Sequence, residues 1–202
     1  MATQDLPASI AASSARLTLS LSISASVSTG FFTGQRTVRS NSADRLRATL
    51  YYSPCNAVAA ASREAFLFGV ISSGDFIRLA LPHRLRRRGS MAGSPVVTSN
   101  TAAGSRTLPI STTPFATMLP GDWISIGGNL LQCGYAGATA DGTGAMSMPL
   151  TLPTQKAITA GAAIVYTAPT GVWQIDDEGV QLDYSAPVIM GGIAVPLLQV
   201  IL

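Results

Sequence analysis

The sequence predicts a mainly β protein, a β-rich α+β fold in which an N-terminal sheet with one helix precedes a small C-terminal β-barrel and an extended C-terminal segment. Three observations predict it. Residues 16–28 (RLTLSLSISASVS) alternate between apolar and polar, the period of a half-buried strand. One stretch, 56–72, has an Ala-rich helical pattern. From residue 95 onward, short apolar runs are separated by Gly and Pro turns, as in small barrels and sandwiches.

In the first strand Leu17, Leu19, Leu21, Ile23, Ala25 and Val27 share one face, and Gly30 ends the pattern. Residues 31–39 and 45–52 are expected as further strands, the latter closed by Pro54. The helix over 56–72 takes Asn56 as its N-cap. Val58, Ala61, Ala65, Phe68 and Ile71 recur every three or four positions, the spacing of a helix. Residues 74–81 form a strand ended by Pro82. The loop 83–93 (HRLRRRGSMAG) is basic and punctuated by Gly. Beyond it, strands are expected at 95–99, 106–110, 123–126, 130–135 and 145–152. Gly127-Gly128 suits a hairpin between the third and fourth of these. Met146, Met148, Leu150 and Leu152 line one face of the fifth. A single helical turn at 158–161 and closing strands at 163–167 and 171–175 complete the barrel. The expected units are 1–82, 83–175 and a C-terminal extension, 176–202.

Of the 202 residues only 11 % are charged, while 47 % are hydrophobic. Soluble domains carry about a quarter charged residues. A monomer so poor in charge has trouble covering its surface with polar groups, and burying that surface against other subunits is the simplest remedy. The basic residues are twelve Arg and one Lys in a net charge of +3. Arg is the cation favoured at buried protein contacts. Leu17, Leu19, Leu21 and Ile23, together with the basic Arg84, Arg86, Arg87 and Arg88 and the acidic Asp176, Asp177 and Glu178, are therefore the candidate interface residues. Opposite charges on the last two groups suit pairing between neighbouring copies.

Catalytic chemistry finds no support. His83 is the single histidine, and no G-x-S-x-G elbow accompanies it. The run Asp176, Asp177, Glu178 lacks the spacing of a calcium loop. The Gly-rich segment 127–144 has no GK[ST] and no long helix after it, so it is no phosphate loop. Cys55 and Cys133 are far apart and form no zinc pattern; two reduced thiols are expected. Trp123 and Trp173 are expected as core anchors rather than a ligand-binding pair. No cofactor, metal or catalytic residue is assigned. Nucleic acid is the weaker reading of the Arg loop, which has no interleaved aromatics to stack bases. No signal peptide or membrane anchor is expected: the apolar stretch 186–202 is broken by Pro and Gly and is shorter than the roughly 20 residues a spanning helix needs.

Residues 119–175 read LPGDWISIGG, then a small-residue loop containing ADGTG, then MSMPLTLP, then AITAGAAIVYTAPTGVWQI. This order resembles the C-terminal barrel segment of distal tail and minor tail proteins of siphophages and gene transfer agents. The shared features are turns, on Pro120, Gly121, Asp122, Gly127, Gly128, Asp141, Gly142, Pro149, Pro153, Ala160 and Gly161. The helix followed by a strand resembles the N-terminal half of the same group. The resemblance implies a structural role: a homohexameric ring in the virion tail tip, joining the tail tube protein to the baseplate hub and able to hold fibre proteins. It implies no catalytic residues. The alternative is another virion structural protein, such as a tail tube, head–tail connector or capsid-associated protein. The alternating strand fits either, because an uncharged edge such as LTLSLSIS invites pairing with another subunit.

Overall fold

The computed structural model describes residues 2–7, 14–22, 25–29, 36–40, 45–81, 87–176, 184–185, 189–190 and 193–201. The first part comprises strands β1 (Thr3–Asp5), β2 (Ser14–Ser22), β3 (Ala25–Thr29), β4 (Arg36–Ser40), β5 (Arg45–Tyr52) and β6 (Cys55–Asn56), helix α1 (Ala57–Ser73) and strand β7 (Phe76–Ala80). Then follow β8 (Val96–Val97), β9 (Thr107–Ser111), β10 (Thr117–Met118), β11 (Trp123–Ile126), β12 (Asn129–Gln132), β13 (Ala138–Thr139) and β14 (Ala145–Pro149). The last strands are β15 (Thr170–Ile175), β16 (Tyr184–Ser185), β17 (Ile189–Met190) and β18 (Ile193–Gln199). The protein is mainly β, with one described helix.

A six-stranded sheet in the order β1-β7-β15-β18-β5-β2 organises the molecule. Only β1 and β7 run parallel. Alternation places Leu46, Ala48, Leu50 and Tyr52 of β5 on the same buried face as Ile193, Val195 and Leu197 of β18. With Trp173 and Ile175 of β15, Ile77 and Leu79 of β7, and Ala60, Leu67 and Val70 of α1, they form one core. The helix starts where Asn56 Oδ1 accepts the Ala59 N–H at 3.0 Å. It stops at Gly74, whose φ of 65° suits the left-handed cap.

Two segments expected outside the N-terminal unit join this sheet. Residues 171–175, expected to close the barrel, lie in β15 and pair instead with β7 and β18. The segment 176–202, expected as an extension with its apolar stretch 186–202 as strand or packed extension, supplies β18, which bonds β15 on one side and β5 on the other. β18 tolerates Pro196 although it is central. The backbone N–H of Asp176 donates to the Pro196 carbonyl at 3.0 Å, so the polar groups of residue 196 face β15, where that strand has just ended. The missing N–H therefore removes no bond to β5.

Between β7 and β15 lies a set of small sheets around a second core. β8, β9 and β14 make three strands, while β11 with β12 and β10 with β13 make two-stranded ladders. Met91, Leu108, Ile110, Met118, Ile124, Met146, Met148 and Leu150 fill the space between them. Among the described residues these ladders do not close into a barrel. Isolated bridges, such as Ser125 with Val165 and Cys133 with Leu150, connect them. Residues 163–167 contribute two such bridges rather than a strand, and 158–161 is a bridge and a turn rather than a helical turn. Frequent Gly and Pro limit each extended run to a few residues, too short for a continuous ladder. All four residues of β11 are buried. Trp123 belongs to the sheet core and Ile124 to the second core, so this strand lies between the two.

The helix turns a different face to the core than its apolar spacing suggests. Ala60, Arg63, Leu67 and Val70 are buried, whereas Val58 is 79 %, Phe68 46 % and Ile71 43 % exposed, and Ala61 and Ala65 are exposed too. The reason is Arg63. Its guanidinium lies over the Tyr52 ring, and Nη1 donates to the Ser53 carbonyl at 2.8 Å, which lets a charged residue occupy the middle of the buried stripe.

Candidate assembly surfaces

The outer edge of β2 can be derived from the ladder. Residue 196 directs its polar groups to β15, so Val195 and Leu197 direct theirs to β5, where they meet Leu50 and Ala48. Thr49 and Arg47 of β5 then face β2, opposite Thr18 and Ser20. It follows that the N–H and C=O groups of Leu17, Leu19 and Leu21 point away from the sheet. Among the described residues no strand pairs with them. The side chains of Leu17 and Leu19 lie on the core face and are only partly buried, at its rim. The opposite edge is β1, three residues long, with Asp5 bound to Arg78 at 3.4 Å and Pro7 just beyond. A short, charged strand followed by Pro is a blunted edge, and β2 has none of these protections at its centre.

A second uncovered surface is the outer face of α1. Val58, Ala61, Ala65, Phe68, Gly69 and Ser72 are exposed along it. A Cβ added at Gly69 meets nothing within 4 Å, so the packing of the chain does not require Gly there.

The described charged candidates, Arg87, Arg88 and Asp176, each have a contact within their own chain. Arg88 is engaged within its own chain, its Nε 3.4 Å from Asp122 Oδ1 and its Nη2 donating to the Pro120 carbonyl. Arg87 lies over the Tyr166 ring, 4.5 Å from the centroid. Asp176 is 3.8 Å from Arg47, a half-exposed pair worth little by itself. Ile23, Arg84, Arg86, Asp177, Glu178 and His83 lie outside the described residues.

Two residues that the sequence did not single out for their structural role organise these parts. Asp122 is fully buried and accepts the backbone N–H groups of Arg88, Gly89 and Leu119, each at 2.9 Å, so it ties residues 88–89 to the turn before β11. Its place in the Pro-Gly-Asp turn was visible, but its partners thirty or more residues away were not. Arg63, masked by its charge, is 2 % exposed and holds the helix to the end of β5. Burial pushes the phenol of Tyr52 up to about 12, against a smaller opposing pull from Arg63.

Trp123 and Trp173 are both buried in the sheet core. Cys55 and Cys133 are unbridged; burial, with a contribution from Asp122, pushes the Cys133 thiol up to about 11. Among the described residues no group of three His, Cys, Asp or Glu is placed to hold a metal ion, and no helix is long and apolar enough to cross a membrane. Compared with family models and with curated proteins, the chain matches none.

Proposed function

We propose that the chain is a structural subunit of a bacteriophage tail tip, a distal-tail-like ring protein that joins the tail tube to the baseplate hub and holds fibres. The observation that carries the reading is the β2 edge: seven regular residues, Arg16–Ser22, with a row of outward backbone groups that has no partner among the described residues. In a chain with 11 % charged residues and an apolar outer face on α1, such an edge favours a life in an assembly. The turn pattern of residues 119–175 supports the tail-tip place within that class. A capsid, connector or tube subunit is the alternative, since these share the same surface physics.

Electron microscopy of the particle tests the proposal. The expected result is a hexameric ring on the tail axis, directly below the tube. A position on the capsid, or absence from the particle, overturns it.

A further inference from the structure

We infer that the free edge of β2 pairs with β2 of a second copy, antiparallel and around a two-fold axis through Leu19. The inference rests on the reading of the chain as a self-associating subunit and goes beyond it in naming the contact and its symmetry.

Register is the first argument. The outward groups belong to Leu17, Leu19 and Leu21. Setting Leu19 opposite Leu19 of the second copy sets Leu17 opposite Leu21, so every outward residue meets an outward residue as a hydrogen-bonded pair. Shifting by two residues leaves an outward residue on each copy unpaired, and shifting by one sets outward residues against inward ones.

The side chains agree with the same register. Thr18 comes opposite Ser20 on the outer face, an uncharged pair of hydroxyls. The charge of the strand, Arg16, comes opposite Ser22, so no like charges meet. On the inner face Leu17 and Leu19 are only partly buried at the rim of the core, and Leu19 of the second copy comes directly opposite Leu19 and diagonal to Leu17. The alternative of extending the sheet head to tail would use β1, and that edge is blunted.

Such a contact is isologous and closes on itself. It joins two six-stranded sheets into one and cannot alone build a ring. In a ring-forming protein it links subunits, or whole rings, in pairs, while the ring contact falls to other surfaces, the outer face of α1 among them.

The test uses the full chain in a Cys55→Ser background. Residues 18 and 20 of opposite copies form a non-hydrogen-bonded pair, with Cα atoms about 4.5 Å apart, within disulfide reach. A mixture of Thr18→Cys and Ser20→Cys chains under mild oxidant gives a covalent dimer, while either chain alone gives little. Ser20→Lys places two ammonium groups near the axis and raises the dimer dissociation constant about tenfold or more, with circular dichroism unchanged. Absence of the mixed cross-link, or a strictly monomeric parent chain, overturns the inference. A hexameric ring that forms without the cross-link sinks this contact and leaves the tail-tip reading standing; a particle lacking the chain sinks the tail-tip reading and leaves the two-fold contact to the cross-linking result.

Discussion

Arg63 lies over Tyr52 with its guanidinium carbon 4.9 Å from the ring centroid. This pair fixes which face of α1 turns inward. Among the described residues no carboxylate is paired with Arg63; a ring face and a backbone carbonyl hold it. Replacing a buried charge with an apolar residue of similar volume is often neutral or stabilising. Arg63→Met is therefore expected to leave stability unchanged or raise it by up to about 2 kcal/mol. Arg63→Ala, which leaves a cavity beside Leu67, lowers it by about 2 kcal/mol or more. Urea unfolding of the two variants distinguishes these outcomes.

The Asp122 clasp predicts a large asymmetry. Asp122→Ala orphans three backbone N–H groups and is expected to destabilise by about 3–5 kcal/mol. Arg88→Ala removes only a side chain that is largely exposed and is expected to change stability by less than about 1 kcal/mol. Equal losses in denaturant titration would show that the ion pair, rather than the backbone bonds, ties residues 88–89 down.

Alkaline pH loosens the fold through two groups. Tyr52 is raised from 10.0 to about 12 and Cys133 from 9.0 to about 11, each chiefly by burial. Both acids hold their protons more tightly folded than unfolded. The stability they contribute is complete below pH 9 and is lost as pH rises, through about 11 for the thiol and about 12 for the phenol. Unfolding midpoints measured from pH 8 to 11 are expected to fall. Cys133→Ala flattens the earlier part of the fall and Tyr52→Phe the later part. A midpoint independent of pH across this range contradicts the assignment.

Two glycines are expected to respond in opposite directions. Gly144 has a φ of 85°, and an added Cβ would lie 2.1 Å from the Thr112 carbonyl oxygen, so Gly144→Ala is expected to destabilise by at least about 2 kcal/mol. Gly69 lies inside α1 with open space around it, so Gly69→Ala stabilises by about 0.5–1 kcal/mol. Thermal melts of the isolated chain check both signs.

Much of the local structure was legible. The strand 45–52 has the expected bounds, and Asn56 caps the helix as its side chain suggests. Elements whose role depends on distant partners were not. Nothing near Thr170–Ile175 marks it as belonging to the large sheet rather than the small ones, because its partners Ile77 and Leu198 are remote in sequence. The helix carries two stripes with spacing of three and four, and the one with the Arg is the buried one. Spacing cannot weigh a charge that has a ring to lie on. The β2 edge was legible as a sticky strand, but which of its backbone groups point outward follows only from the orientation of Pro196 across two ladders.

The position of β18 has a bearing on biosynthesis. On one side of it stand β1, β7 and β15; on the other stand β5 and β2. Until residues 193–199 emerge from the ribosome, these halves have no common strand, and each offers an open margin to any passing chain. The six-stranded order becomes continuous only when β18 enters between β15 and β5. A polypeptide cut short before residue 193 is left with a divided sheet, a flaw that proteases can recognise.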